Sequence, residues 1–480
     1  MVLNALDRIH DLPGWEGDNV MYSGTIEVEP EYGSEMFYWF VEADEKPEDA
    51  PVVLWLTGGP GCSGLLGLFS EMGPWFAGPD NKLLPNPWGW NTLANFLTIE
   101  SPIGVGFSNS KNTSRYTTGD LQTAENSYSF LLKFFAAYPE YAKNGFYVTG
   151  ESYGGHYVPE LTAFINAMNK KAPANEVINL KGMAVGNAWT WSTLDNKGCV
   201  LDWSSHTIIS EETANGLLAT CDFGKIGPFF EEEDNDAQVD PAKCNDYYNT
   251  AMAEMGDITI YNIYWPVCQS SAEITSQGHA LYRALAQGPE GDAAATLGRA
   301  MTKKIEAQQA RLSALPPDNA SPVCVSEYLT QYLNTPEVQK AIHAPSLPYA
   351  WSGCSSIVHY SYPDLLASVV PVYVDDLFHT DLRVRVYSGD VDGIVPTPGT
   401  KLWIDYMNLT VSSEFRSWTD AYNQVGGWTT TYDNGNGGQF MFSTVRNAGH
   451  EVPGYTPSRA WTYIKAFLEG TDLPKPTQPF

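Results

Sequence analysis

Short apolar runs rich in β-branched and aromatic residues recur along the chain: FYWFVEA from Phe37, PVVLWLT from Pro51, NFLTIE from Asn95, GFYVTG from Gly145, LKGMAVGN from Leu180, VRVYSG from Val384 and QFMFSTV from Gln439. Their near-continuous hydrophobicity predicts strands buried on both faces. Helical patterns lie between several of them. Leu131, Phe134, Phe135 and Tyr138 fall at i, i+3, i+4 and i+7, the apolar face of a helix that Pro139 ends. Strands alternating with helices predict an α/β domain with a largely parallel sheet.

The texture changes between about residue 190 and residue 335. FFEEEDNDAQVDPAKC, from Phe229, is acidic and loop-like, whereas residues 293–314 are rich in helix formers with no strand pattern beside them. Five of the seven cysteines fall in this stretch: Cys199, Cys221, Cys244, Cys268 and Cys324. We therefore divide the chain into a first part of an α/β core (1–190), a helical, disulfide-stapled insertion (191–335) and a second part of the core (336–480).

Composition narrows the function. The 480 residues carry 27 basic and 56 acidic side chains, a net charge of −29, which a phosphate backbone would repel, so a nucleic-acid partner is excluded. The acidity reads as a solvated surface. The widely spaced cysteines form no CxxC pair, which favours disulfides over zinc or dithiol chemistry. Sequons at Asn112, Asn319 and Asn408 fit the same oxidising, secretory route. No apolar run reaches the roughly 18 residues of a membrane span, and MVLNALDRIHDLPGW lacks a signal core. The expectation is a processed, exported protein, secreted or vacuolar, with no membrane contact.

One pentapeptide carries candidate chemistry. Gly150-Glu151-Ser152-Tyr153-Gly154 follows the apolar run FYVT and precedes a helix presenting Val158, Leu161 and Ile165. GxSxG at a strand-to-helix turn is a nucleophile elbow, although the pentapeptide alone arises often by chance. A serine needs a base and the base needs an orienting acid, in the order Ser, Asp or Glu, His. VRVYSGDVDG offers Asp390 and Asp392 after one strand, and FMFSTVRNAGH offers His450 after another. His450 is one of eight histidines, but it stands on a loop ahead of a final helical pattern, TPSRAWTYIKAFL.

Together with DRIHDLPGW, MYSGTIEV, VVLWLTGGPGCSGLLGLFSEMGPW, IESPIGVGFSNS, TGESYGGHYVPEL, YSGDVDGIVP and VRNAGHEVPGYTP, these segments give the chain its resemblance to the serine carboxypeptidase family over nearly its whole length, with secreted fungal members as the most similar. The resemblance implies an α/β-hydrolase fold and release of single residues from peptide and protein C-termini through an acyl-enzyme. No metal or organic cofactor is required, and the protein is expected as a monomer or homodimer. It assigns Ser152 as nucleophile, Asp392 as the orienting acid and His450 as general base, with the N–H groups of Gly59 and Tyr153 as oxyanion hole. It also implies the bridges Cys62–Cys354 and Cys268–Cys324, leaving one of Cys199, Cys221 and Cys244 unpaired.

An acidic residue beside the nucleophile looks wrong for an enzyme that must hold a carboxylate. The resemblance places Glu71 and Glu151 together in a carboxylate site with Thr57 and Gly58, where like charge and burial keep a proton on the pair. A protonated carboxyl donates a hydrogen bond, which predicts an optimum on the acidic side of neutrality. Thr57 stands where the family commonly has asparagine, as it does in relatives that became acyltransferases. Glu451 beside His450 falls in the pocket for the departing residue, where it favours basic side chains or is merely solvated at the entrance. A binding protein without catalysis is the remaining alternative, and the presence of all three triad candidates argues against it.

Overall fold

The structure is a computed structural model, which describes residues 6–228, 241–268, 321–433 and 439–476. Eleven strands form the main run of one sheet: β1 (Arg8–Ile9), β2 (Met21–Glu29), β3 (Ser34–Val41), β4 (Val52–Leu56), β5 (Asn95–Ile99), β6 (Phe146–Glu151), β7 (Leu180–Gly186), β8 (Arg383–Gly389), β9 (Thr410–Thr419), β10 (Val425–Asp433) and β11 (Gln439–Val445). Their spatial order is β1-β2-β3-β5-β4-β6-β7-β8-β11-β10-β9, and Asn109–Ser110 adds a short pairing to β3.

The middle six strands, from β5 to β11, pair in parallel, and the flanking hairpins pair antiparallel. The apolar runs map onto the central strands because these are covered on both sides. β4 and β5 have every residue buried. Alternation along β4 sends Leu54 to one core and Val53 and Trp55 to the other. The sheet is thus mixed rather than largely parallel throughout. β9, with the sequence TVSSEFRSWT, is exposed over most of its length, so no apolar run marks it.

The helices α1 (Gly64–Ser70), α2 (Asp120–Ala137), α3 (Gly154–Asn169), α4 (Ser192–Ser205), α5 (Glu211–Thr220), α6 (Pro241–Met255), α7 (Val325–Leu333), α8 (Thr397–Tyr406) and α9 (Pro457–Glu469) flank the sheet or build the insertion. α2 carries the expected face: Leu131 and Phe134 are buried, Phe135 packs at the margin of the same core, and the helix stops just before Tyr138 and Pro139. α3 joins that core through Val158, Leu161 and Ile165, while α1, α7 and α9 cover the opposite face. Burying each such Leu or Phe side chain contributes about 1.5–3 kcal/mol.

The described part of the insertion is helical and has its own small core around Val200, Trp203, Leu217, Phe223 and Ala251. Cys221–Cys244 links α5 to α6 within it. The expected pairs Cys62–Cys354 and Cys268–Cys324 both form, and Cys199 remains as a buried thiol. The helix expected at 293–314 and the sequon at Asn319 lie outside the described residues. Burial raises the Cys199 pKa, with Asp195, Asp392 and Asp202 adding to the effect, so the thiol stays protonated and inert. Titration with a thiol reagent under non-reducing conditions is expected to find no reactive thiol in the native protein and one per chain after denaturation. Two or more in the denatured chain would contradict this pairing.

Candidate active site

The site grows out of the carboxyl ends of the parallel strands. In register, Leu56 of β4 lies beside Gly150 of β6, Glu151 beside Gly186 of β7, Gly186 beside Tyr387 of β8, and Gly389 beside Val445 of β11. The residues that follow these ends therefore emerge along one edge. They include Thr57, Gly58 and Gly59 after β4, Ser152 after β6, Asn187 after β7, Asp392 after β8 and His450 after β11.

Ser152 sits at φ +59°, a left-handed conformation unusual for a side-chain-bearing residue, between the end of β6 and the start of α3. Three backbone bonds hold the turn: Ser152 N–H to the Gly186 carbonyl (3.1 Å), Gly155 N–H to the Ser152 carbonyl (2.8 Å) and Trp189 N–H to the same carbonyl (2.8 Å). Gly150 is required because a Cβ there would lie 2.3 Å from the Leu56 carbonyl oxygen. A Cβ at Gly58 would lie 2.3 Å from the Tyr153 nitrogen and 2.7 Å from the Ser152 Cβ, so the Gly58–Gly59 turn passes directly over the elbow. The N–H groups of Gly59 and Tyr153 donate to no acceptor among the described residues.

Asp392, after β8, and His450, after β11, meet across their two loops. His450 Nδ1 lies 2.8 Å from Asp392 Oδ2, with both residues buried, so that in the neutral imidazole the proton sits on Nδ1 and Nε2 is the acceptor. Asp392 also accepts from Ile394 N–H (2.8 Å), Val395 N–H (3.2 Å) and Asn187 Nδ2 (2.7 Å). Asp390, the other carboxylate after β8, accepts from Asn447 N–H at 2.6 Å and so ties the two loops together. A strap from the insertion closes over them. The Tyr261 carbonyl accepts from His450 N–H (2.7 Å), the Ile260 carbonyl accepts from Gly393 N–H (2.9 Å), and Tyr261 stands edge-on to the imidazole at 5.1 Å.

Thr57, Gly58, Gly59, Glu151, Ser152, His450 and Glu451 share the lining of a 1110 Å³ cavity whose other wall comes from the insertion, including Tyr261 and Trp265. Thr57 Oγ1 accepts from Trp55 Nε1 at 2.9 Å, leaving its own hydroxyl proton available. Glu71 and Glu151 are buried neighbours that act on each other's charge, and neither oxygen of Glu71 nor Oε2 of Glu151 has a hydrogen-bond partner among the described residues. Burial, then the charges of Glu151 and Glu451, push Glu71 well above the ordinary glutamate range. Burial likewise pushes Glu151 up to about 8. Glu451 is half-buried and raised by burial as well. For His450, burial favours loss of the proton, but Asp392 outweighs it by charge and hydrogen bond, and with Glu151 and Glu451 raises the pKa to about 9.

Residues 13–470 match the family model described as serine carboxypeptidase. The chain belongs to the serine carboxypeptidase family. Serine carboxypeptidase-like 26 of Arabidopsis thaliana is 38% identical over 480 residues, covering 98% of this chain and 94% of the relative. Serine carboxypeptidase-like 25 of the same plant is 37% identical, covering 98% and 92%. A prohormone-processing carboxypeptidase from Saccharomyces cerevisiae superposes with a TM-score of 0.72 over 97% of this chain and 96% of that one, at 18% identity, and so shares the α/β-hydrolase fold. In this serine carboxypeptidase no helix among the described residues is long and apolar enough to cross a membrane.

Sequence reasoning identified the residues that gather here but missed Asn187, Trp203, whose indole donates to the Gly393 carbonyl at 2.7 Å, and Tyr261. Asn directly after a strand was the available signal for the first. Behind the elbow, Asp120, His156 and Glu160 bring ligand-type atoms within 4.8 Å of one another. Asp120 is already engaged there by His156 and by the phenols of Tyr153 and Tyr360.

Buried acids give the protein a signed pH dependence. Burial raises Glu151 and Glu160 to about 8, and Glu100, Asp195 and Asp202 to about 7. A raised folded-state pKa means that the native state holds more protons than the unfolded chain. The associated stability is complete below the ordinary carboxyl range and is lost as pH rises through these values. Calorimetry is expected to give a higher Tm at about pH 5 than at about pH 8. A Tm that rises over that interval would contradict the assignment.

Proposed function

We propose that the protein removes single residues from the C-termini of peptides and proteins through an acyl-enzyme on Ser152. In this reading Ser152 Oγ attacks the carbonyl carbon of the last peptide bond while His450 Nε2 takes its proton. The imidazolium then protonates the departing amine. Water, activated by the same imidazole, releases the shortened peptide. Asp392 keeps His450 in the required tautomer, and the N–H groups of Gly59 and Tyr153 stabilise the oxyanion. Residues 191–335 act as an insertion over the site.

The observation that carries the exopeptidase reading is the pair of buried, unpartnered carboxyl groups of Glu71 and Glu151 beside the nucleophile, which burial and mutual charge keep protonated. A neutral carboxyl there donates to the substrate carboxylate, together with the Thr57 hydroxyl and the Gly58 backbone. As pH rises through the pair's raised pKa values, the donor is lost and two anions face the substrate. Protonating Glu151 removes part of the attraction that raises the His450 pKa, which offsets part of the loss of free base in acid. The optimum is therefore expected below neutrality.

Mass spectrometry of a synthetic peptide at about pH 5 and about pH 8, beside its C-terminal amide, tests the reading. Sequential trimming of the free acid is expected, with KM rising towards the higher pH, while the amide is cut far more slowly and shows no such rise. Equal rates on acid and amide would overturn the role of the glutamate pair. Failure to trim, in protein whose Ser152 still reacts with a fluorophosphonate, would favour acyl transfer, the activity that Thr57 also suits.

Glu451 lies beside His450 on the cavity wall, and we assign it the side chain of the departing residue, with a preference for Lys or Arg. Glu451→Met is expected to lower kcat/KM for C-terminal Arg by about 10-fold while leaving C-terminal Leu within about 2-fold, since an interfacial ion pair contributes on the order of 1.4 kcal/mol. Equal losses on both substrates would reject the preference. Export through the secretory pathway fits the disulfides and the exposed sequons at Asn112 and Asn408.

A further inference from the structure

Asn187 performs no step in the mechanism above, yet each polar group of its side chain is committed to the loop that carries Asp392. It directly follows β7, has φ +40° and is fully buried. Asn tolerates this left-handed region better than most residues. Its backbone N–H donates to the Tyr387 carbonyl (2.9 Å), and its Oδ1 accepts from Gly389 N–H (3.0 Å). Nδ2 donates to Asp392 Oδ2 (2.7 Å) and to the Val395 carbonyl (3.3 Å). One planar amide thus joins the last residue of β8, the carboxylate and the end of the acid loop. A carboxamide alone offers an acceptor and two donors on so short a side chain.

The oxygen that receives Asn187 is the one that receives His450 Nδ1 at 2.8 Å. The other restraints from outside the loop hold its backbone and not the carboxylate. Trp203 Nε1 donates to the Gly393 carbonyl (2.7 Å), the Cys199 thiol to the Ile394 carbonyl (3.2 Å), and Ile263 N–H to the Val391 carbonyl (3.1 Å). We propose that Asn187 is a positioning residue of the acid–base pair, its amide fixing the Asp392 carboxylate so that Oδ2 stays aligned with His450 Nδ1. The inference rests on the assignment of Asp392 and His450 made above. A simple tie between two strand ends would instead affect stability alone.

Asn187→Asp separates the two. The substitution keeps the shape and the tolerance of a left-handed backbone but replaces the donating amide with a carboxyl group. Protonated, that group can donate to Asp392 Oδ2; ionised, it repels it. The titratable groups acting on or around Asp392 are His450 and Glu451 from the base loop, Glu151 from the elbow, Cys199 and Asp202 from α4, Tyr261 from the strap and Tyr455. All occur in both proteins, so the ratio of variant to wild type isolates the new carboxyl.

The readout is the rate of Ser152 phosphonylation by a fluorophosphonate from about pH 4.5 to about pH 8, with Tm measured alongside. The variant is expected to react about 10²-fold more slowly than wild type near the upper end and to recover most of that loss near the lower end. A pH-independent ratio near one, with only Tm reduced, would overturn the proposal. Should Asn187→Asp not fold, Asn187→Ser, which is neutral and too short to bridge, is expected to lower the labelling rate at every pH, and unchanged labelling would overturn the proposal equally. The labelling rate tests positioning whether or not peptides are trimmed. Wild type that labels but trims nothing overturns the exopeptidase reading alone, and wild type that does not label overturns both.

Discussion

Parallel pairing in the centre of the sheet is the constraint on which the site depends. Each parallel ladder fixes the register of its neighbours, so β4, β6, β7, β8 and β11 all end along one edge. Ligand sites in such sheets lie beyond the carboxyl ends of the strands for this reason. Here residues from five separate stretches of sequence converge there. A register slip in any one strand would also exchange its two buried faces, and the two cores differ in shape. The packing of Leu54, Val148 and Val386 on one side, and of Trp55 and Tyr147 on the other, thereby sets the spacing of the chemistry above them.

Within that frame, burial does electrostatic work. Glu71 and Glu151 share a region that excludes outside donors, so charge on either is unfavourable and the pair retains a proton. Asp392 is also buried, yet it accepts four hydrogen bonds within 3.2 Å. Buried carboxyl groups thus differ in how they are satisfied: Asp392 is surrounded by donors, whereas Glu71 has none.

The sequence showed these features unevenly, and the reasons are physical. Central strands were legible because both faces are buried, which leaves unbroken apolar runs. β9 was not, since an exposed antiparallel strand carries Ser, Thr and Glu as readily as a loop does, and β10, though mostly covered, is built of Gly and Thr with no apolar run. GxSxG placed Ser152 through its strand-to-helix context. The choice of Asp392 over Asp390 needed family resemblance, because both follow β8 and only the fold shows which one meets His450. Asn187 stayed hidden because its role depends on which strand end lies beside its own. Cys221–Cys244 stayed hidden likewise, its pairing following from the packing of α5 on α6.

The bond between Cys62 and Cys354 has a consequence in time as well as in space. Cys62 lies three residues beyond Gly59, on the turn that crosses the elbow, and its partner is 292 residues further along the chain. The turn cannot be locked while the ribosome still has residue 354 to add. A growing chain already contains Ser152, Glu71 and Glu151, yet it lacks the staple on the Gly58–Gly59 turn and, until later still, Asp392 and His450. Assembly of the complete site thus waits for the last stretch of translation.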